Sequence, residues 1–477
     1  MRFPTRFLAS ALVLALALPG APAALAQDGA PAASSAWQVP ASGVIGVQEA
    51  YLSPEFWVAR LDAPDAALMT RAQIEAQNAE LFRVDGSMYD LRALPATLDG
   101  AQVRAWIEDL SARPERPRYD VEGVQVPAQT LDALMANLAL DAVPASQPTR
   151  YGLVVHRAAL RSFPTGLRVF SSAGDTDIDR FQESALFPGT PVVVAHASAD
   201  GQWLFVISPR YAAWIEADAV ATGDKAQVFG YVDAAPYRII TGDKVDTVHT
   251  REEPRVSELQ LDMGVRVPLA GDVPLDRPVN GQHPYTSWIL RLPVREADGS
   301  LAFAPALLQK KEESAADYLP LTRANLIRQA FKFLGERYGW GHSYNGRDCS
   351  GFVSEIYRSM GVQLPRNTSA QSVSPAFERV HFDETSTRAE REAAVARMDV
   401  GDLVYIPGHV MMVVGHVDGV PYVIHDTNGG SYLGADGEVH SMHLNGVSLT
   451  PLTPLRFGKD HDYIDRITNI VRVAAQP

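Results

Sequence analysis

Hydrophobic periodicity changes twice along this chain, and each change marks where one mode of packing must give way to another. From about Ser53 to Leu140 apolar residues recur at three and four spacings, as in Met69 to Phe82 and Ala101 to Ser111. That is the pattern of helices with one buried face. The Pro-rich stretch Arg113 to Arg118 interrupts it, and a polar stretch with prolines, Val143 to Thr149, closes it. Between Tyr151 and Ala219 the apolar runs shorten to pieces such as Val192-Val193-Val194 and Trp203 to Ile207, divided by Pro188-Gly189 and Asp200-Gly201. Closely spaced strands with such turns predict a small barrel. Val228 to Leu308 continue in that style, without a residue-level repeat, and the charged stretch Gln309 to Asp317 reads as a linker.

From Thr322 the pattern changes again. Asn325 to Arg337 predicts an amphipathic helix with Leu326, Ala330, Phe333 and Leu334 on one face. A glycine-rich loop follows, then a helix from Cys349 to Met360 that stops at Gly361. Strand-like runs at Asp402 to Ile406, Val410 to Val414 and Tyr422 to Ile424 complete an α+β arrangement. A chain of 477 residues has room for roughly three domains. The expected fold class is therefore multidomain: an α-helical N-terminal region at 51–148, two small β-barrels at 149–222 and 223–310, and a C-terminal α+β domain at 318–477.

The first residues predict export. Arg2 and Arg6 precede an apolar core, Leu8 to Leu18, and Ala24-Leu25-Ala26 before Gln27 supplies the small-x-small pattern of a cleavage site. The reading is a signal peptide at 1–26 and a flexible leader at 27–50. The apolar run is too short for a permanent membrane span, so no membrane anchor is expected after cleavage, and the location is periplasmic or secreted. A formal net charge of -14 without a Lys/Arg cluster argues against nucleic acid and anionic membranes as partners.

Cys349 is the single cysteine. An exported protein ordinarily uses cysteines in pairs, so a lone thiol is either buried and inert or kept for its reactivity. Cys349 follows a polar loop and opens an apolar-periodic helix, where free N–H groups and the helix dipole favour thiolate and can hold an oxyanion. A cysteine nucleophile also needs an imidazole and a group that orients it. His409, before the apolar run V-M-M-V-V, is the candidate base, and His425 the orienting residue, with Asp426 and Asn428 as alternatives. A zinc reading on His409, His425, His440 and His443 lacks an H-E-x-x-H helix and a second cysteine. No metal and no cofactor are expected.

With those residues in place, the last ~155 residues resemble the NlpC-type, papain-like peptidase family of bacterial cell-wall hydrolases. The matching pieces are Y-G-W-G at Tyr338, D-C-S-G-F at Asp348 to Phe352, L-P-R-N-T-S-A-Q at Leu364 to Gln371, G-D-L-V-Y at Gly401 to Tyr405, and the His409 strand. The resemblance implies Cys349 as nucleophile, His409 as base and His425 as third polar residue, although the separation from His409 to His425 is longer than is usual in the family. It further implies Tyr338 near the oxyanion, Trp340 lining the cleft, Asp348 and Ser350 against the substrate backbone, and Asn367 and Thr368 among the substrate-binding residues.

The whole layout resembles the γ-D-glutamyl-L-diamino-acid endopeptidases, whose barrels are SH3-like. The implied activity is cleavage of the γ-D-Glu–diamino acid bond of murein stem peptides through a thioester acyl-enzyme. Amidase or transpeptidase chemistry on the same residues, or a non-catalytic wall-binding protein, are the alternatives. In such enzymes the first barrel helps read the free amine of the leading L-Ala, and Glu183 and Tyr211 are the candidates here. Asn367 stands where amine-reading relatives commonly carry Asp, which implies looser selection for that amine. Murein stem peptides or peptidoglycan are the expected partners of a monomer.

Overall fold

The computed structural model describes residues 43–434 and 436–474. The expected signal peptide and most of the leader lie outside the described residues. Four helices open the described chain: α1 (Pro54–Val58), α2 (Arg71–Val84), α3 (Gly100–Leu110) and α4 (Ala128–Asn137). Helix α2 starts at a capping box. The Thr70 hydroxyl accepts from the Gln73 N–H, and the Gln73 side chain accepts from the Thr70 N–H. These helices divide their apolar faces between two cores. Trp57, Ile74 and Leu81 pack with Phe352 and Met412 of the C-terminal domain, whereas Val103, Ile107, Leu134 and Leu138 pack with Phe205 and Trp214 of the strand region. The N-terminal region is thus a clamp between units.

The first strand region contains β1 (Arg150–Val154), β2 (Ala158–Arg161), β3 (Gln182–Leu186), β4 (Pro191–Ala197), β5 (Trp203–Ile207), β6 (Ala212–Glu216) and β7 (Val220–Gly223). They form one antiparallel sheet in the order β7-β1-β4-β5-β6-β2-β3. The unbroken apolar run in β4 has a simple cause. Val193 and Ala195 enter one core while Val192 and Val194 enter another, so both faces of the strand are covered. The end strands β7 and β3 do not pair with each other among the described residues.

The second strand region departs from expectation. Where strands were expected to begin at Val228, the chain forms helix α5 (Lys225–Asp233): the Asp224 side chain caps it by accepting from the Gln227 N–H, and Val228, Phe229 and Tyr231 are buried. Beyond it lie three small sheets around one core that includes Ile240, Leu261, Val267, Leu290 and Leu308. The expected linker contributes to one of them, since Ser314–Ala315 pairs with Ile239 and Ile240.

The C-terminal domain sets helices α6 (Arg323–Phe331), α7 (Cys349–Ser359), α8 (Thr368–Val373) and α9 (Arg388–Val395) around a sheet. Its strands are β8 (Glu378–His381), β9 (Leu403–Ile406), β10 (His409–Val417), β11 (Val420–Thr427), β12 (Gly446–Pro451) and β13 (Asn469–Arg472), antiparallel throughout in the order β8-β13-β9-β10-β11-β12. Alternation decides the two faces: Val410, Met412 and Val414 pack with Phe352 and Ile356 of α7, while Met411 and Val413 pack with Val395 of α9. Among the described residues no helix is long and apolar enough to cross a membrane.

Candidate active site

Cys349 is the first residue of α7. The cap residue Asp348 turns its Oδ1 onto the Gly351 N–H at 2.8 Å, and its carbonyl accepts from the Phe352 N–H at 2.8 Å. The Cys349 sulfur accepts a hydrogen bond from the Val410 N–H, which sets the thiol against the start of β10. Burial first, and then the Asp348 carboxylate, push the thiol up to about 12. The resting group is therefore S–H, because desolvation of the sulfur outweighs the pull of the helix start.

His409 is the first residue of β10 and is half-buried. Its Nε2 lies 2.8 Å from His425 Nδ1, and His425 Nε2 lies 3.0 Å from Thr450 Oγ1. Burial depresses His409 to about 4, and burial together with the neighbouring His409 holds fully buried His425 well below the usual histidine range. Both rings are neutral near pH 7, and a neutral imidazole has one donor and one acceptor. The relay therefore has two possible polarities. Only one leaves His409 Nδ1 as an acceptor: His409 Nε2–H donates to His425 Nδ1, and His425 Nε2–H donates to Thr450 Oγ1. Thr450, fully buried on β12, escaped the sequence reading because a threonine in an apolar strand carries no signal until β12 is placed beside β11.

The alternatives to His425 lie elsewhere. Asp426 is adjacent on β11, so it points to the other face. It is fully buried, and neither carboxylate oxygen has a partner. Burial, with Asp348 and Glu336 nearby, raises its pKa well above the carboxylate range. Asn428 is exposed. His440 pairs with Asp436 at 3.0 Å, and among the described residues no group of three or more His, Cys, Asp or Glu could hold a metal ion.

The loop before Cys349 is held by charge. Asp348 bonds the Gly341 N–H at 3.1 Å, the Ser350 hydroxyl at 3.1 Å and both terminal nitrogens of Arg366, at 3.2 and 2.8 Å. Burial works against its ionisation, but Arg366 and the other donors hold the carboxylate at about 2. Ser350 also accepts from Arg366 at 2.8 Å. The polar atoms of Asp348 and Ser350 are thus engaged within the protein. Arg366 reaches Ser184 on β3 at 2.6 Å and His342 Nδ1 at 3.2 Å, while His342 Nε2 meets Glu355 at 3.0 Å. Arg347, wholly buried, bonds Glu336 at 2.8 Å, Glu355 at 2.6 Å and Asp262 at 3.2 Å. Arg366 was legible only as part of a motif, and His342, Arg347 and Glu355 were not singled out; the partners Ser184 and Asp262 come from distant segments.

The same loop is strapped to the first strand region. Trp340 Nε1 donates to the Gln182 carbonyl at 3.0 Å, and Gln182 Nε2 donates to the Gly341 carbonyl at 2.7 Å. A Cβ at Gly341, where φ is +56, would sit 2.8 Å from Gln182 Cγ, so this crossing needs glycine. His342, Tyr344 and Asn345 also take positive φ, a strain that the surrounding bonds must hold. Tyr338 is buried, and burial first, then its neighbours Cys349, Asp348 and Asp426, push its hydroxyl well above the usual tyrosine range and keep it protonated.

At the other end of this seam the Tyr211 hydroxyl donates to Glu183 Oε2 at 2.5 Å, and the Asn367 side chain donates to the Tyr211 oxygen. Burial raises Glu183 to about 7, with Tyr211 holding it back. Asn367 is exposed at the start of α8, and the half-buried Thr368 follows, its side chain without a hydrogen-bond partner among the described residues. Glu183, Tyr211 and Asn367 thus meet, one strand position from the Ser184 that holds Arg366.

Comparison with known proteins fits this geometry. Residues 335–450 match the NlpC/P60 family, and residues 168–216 match the SH3 domain of the SH3b1 type. The chain is 35% identical over 130 residues to a probable endopeptidase p60 of Listeria welshimeri, covering 24% of this chain and 22% of that protein. It is 27% identical over 131 residues to dipeptidyl-peptidase 6 of Lysinibacillus sphaericus, covering 27% of this chain and 42% of that protein. The chain thus spans less than half the length of either relative. A solved NlpC/P60 endopeptidase from Photobacterium damselae subsp. piscicida shares the fold, with a TM-score of 0.70 at 17% identity over 88% of this chain and 97% of that one.

Proposed function

From a chain that carries an NlpC/P60 domain and an SH3b1-type domain, we propose a cysteine endopeptidase that cuts the γ-D-Glu–diamino acid bond of murein stem peptides. The observation that carries the reading is the relay His409–His425–Thr450 beginning at the strand whose Val410 N–H holds the Cys349 sulfur. Cys349 Sγ attacks the γ-carbonyl carbon of D-Glu as its proton passes to His409 Nδ1. The N–H groups at the start of α7 receive the oxyanion. As the C–N bond breaks, His409 returns the proton to the departing α-amine, leaving a thioester. Water, deprotonated by His409, then releases the acyl group and restores the thiol.

Because thiol and imidazole are both neutral at rest, attack and proton transfer occur together rather than from a standing ion pair. Glu183, Tyr211 and Asn367 form the end of the cleft that takes the L-Ala amine, and Tyr338, Trp340 and Thr368 line it. The region at 223–310 is read as a second SH3-like unit, and the Arg2 to Ala26 segment supports an exported enzyme. The test is mass analysis of L-Ala-γ-D-Glu-diaminopimelate after incubation with the protein and with Cys349→Ala. Release of L-Ala-D-Glu by the first alone is expected. No release from either folded protein would remove this substrate, and a differently joined product would indicate amidase or transpeptidase chemistry.

A further inference from the structure

One cavity outside the catalytic cleft is lined by three arginines and by no carboxylate. It has a volume of about 200 Å³ and lies where the three folded units meet. Arg210 enters it from the turn between β5 and β6, Arg266 from the second strand region, and Arg358 from α7. No residue lining it is acidic. Arg266 bonds the carbonyls of Val232 and Ala234 at 2.6 and 2.7 Å. Arg358 lies over the Phe187 ring at 4.6 Å and donates to the Met263 carbonyl, but its Nε is buried without a partner. Arg210 has no hydrogen bond and no ion pair among the described residues. Tyr231, only 4% exposed, lines the same space, and its hydroxyl too lacks a partner.

Arg210 is half-buried, and a guanidinium without a partner there gives up part of its hydration without replacing it. Burial, followed by the like charges of Arg358 and Arg366, lowers Arg210 to about 9. An anion would cancel that repulsion and satisfy the open donors of Arg358 and Tyr231. Leu186, Phe187 and Val265 are among the other lining residues, and a volume of about 200 Å³ admits only a compact ligand.

We propose that this cavity is an anion site, taking a carboxylate or a phosphate group between Arg210, Arg358 and the Tyr231 hydroxyl and so tying the three units together. The proposal does not depend on the peptidase reading, because its readout is binding. Calorimetric titration of the full chain with sodium phosphate and with sodium butyrate, at ionic strength fixed with chloride, tests it. Saturable one-to-one binding of at least one probe is expected, and the tighter of the two identifies the source. Arg210→Gln should weaken binding by about tenfold or more, the loss of a charge-assisted hydrogen bond, and Tyr231→Phe should weaken it less while preserving the packing. The absence of saturable binding by either probe, or equal affinity in Arg210→Gln and the parent, would overturn the site.

Discussion

The two walls of the catalytic cleft are built on opposite principles. The wall that carries Cys349 is polar to its centre: Arg347 and Arg366 are buried among Glu336, Glu355, Asp262 and Asp348, and two of those bonds reach other units through Asp262 and Ser184. The wall that carries His409 is a regular antiparallel sheet filled by Val410, Met412, Val414 and Ile424, with one thread of polar atoms running from His409 to Thr450. One wall is positioned by the rest of the molecule, and the other positions itself. Buried charges hold a strained loop in one geometry but fail together when one is removed, whereas a sheet distributes its stability over many small contacts.

The sharpest break in this contrast comes from Arg347→Met. Removing the cation takes from Glu336, Glu355 and Asp262 the partner they share, and a loss of about 3–5 kcal/mol in urea unfolding is expected. A loss below about 1 kcal/mol would mean that the network contributes little. On the other wall, Thr450→Val should cost less in stability, about 1–3 kcal/mol for an unpaired buried N–H, but should lower kcat at least about tenfold by releasing the His425 tautomer. Thr450→Ser should restore kcat, and a serine variant as slow as valine would sink the relay.

Alkylation by iodoacetamide separates the walls by charge state. With the thiol at about 12 and His409 at about 4, reactivity of the free enzyme should climb steadily between pH 5 and pH 9. A plateau across that range would instead reveal a standing thiolate.

A subtler effect is expected at the seam with the first strand region. Glu183 titrates at about 7, so its carboxylate is present above that pH, while a peptide α-amine keeps its proton only below about 8. The profile of kcat/KM against pH should therefore peak between these values and lose its acid limb in Glu183→Gln. Asn367, which supplies no charge, predicts measurable cleavage of N-acylated stems, and strict dependence on a free amine would refute that. Smallest of all, Ile424→Val in the sheet wall should cost about 0.5–1.5 kcal/mol and leave kcat unchanged.

The two walls also differ in how they could be read. His409 and His425 stood out because they border unbroken apolar runs, V-M-M-V-V and Y-V-I, which declare buried strands before any fold is known. Cys349 stood out because it is the single cysteine and because the apolar spacing after its polar loop announces a helix start. By contrast, the helix at Lys225–Asp233 was hidden in a stretch of mixed apolar residues whose length suits either state. The N-terminal helices were read as one region, although their faces serve two cores.

What the sequence determined by itself was local: where helices and strands begin, which cysteine is alone, and which histidines sit at strand positions. These depend on interactions within a few residues and leave a periodic trace. The tertiary structure alone decided that Arg366 meets Ser184, that Arg347 meets Asp262, that His425 rests on Thr450, and that the thiol is desolvated enough to stay protonated. Each of these joins residues distant along the chain, and the strength of a charge or hydrogen bond depends on how far its surroundings exclude water. No single segment encodes that quantity.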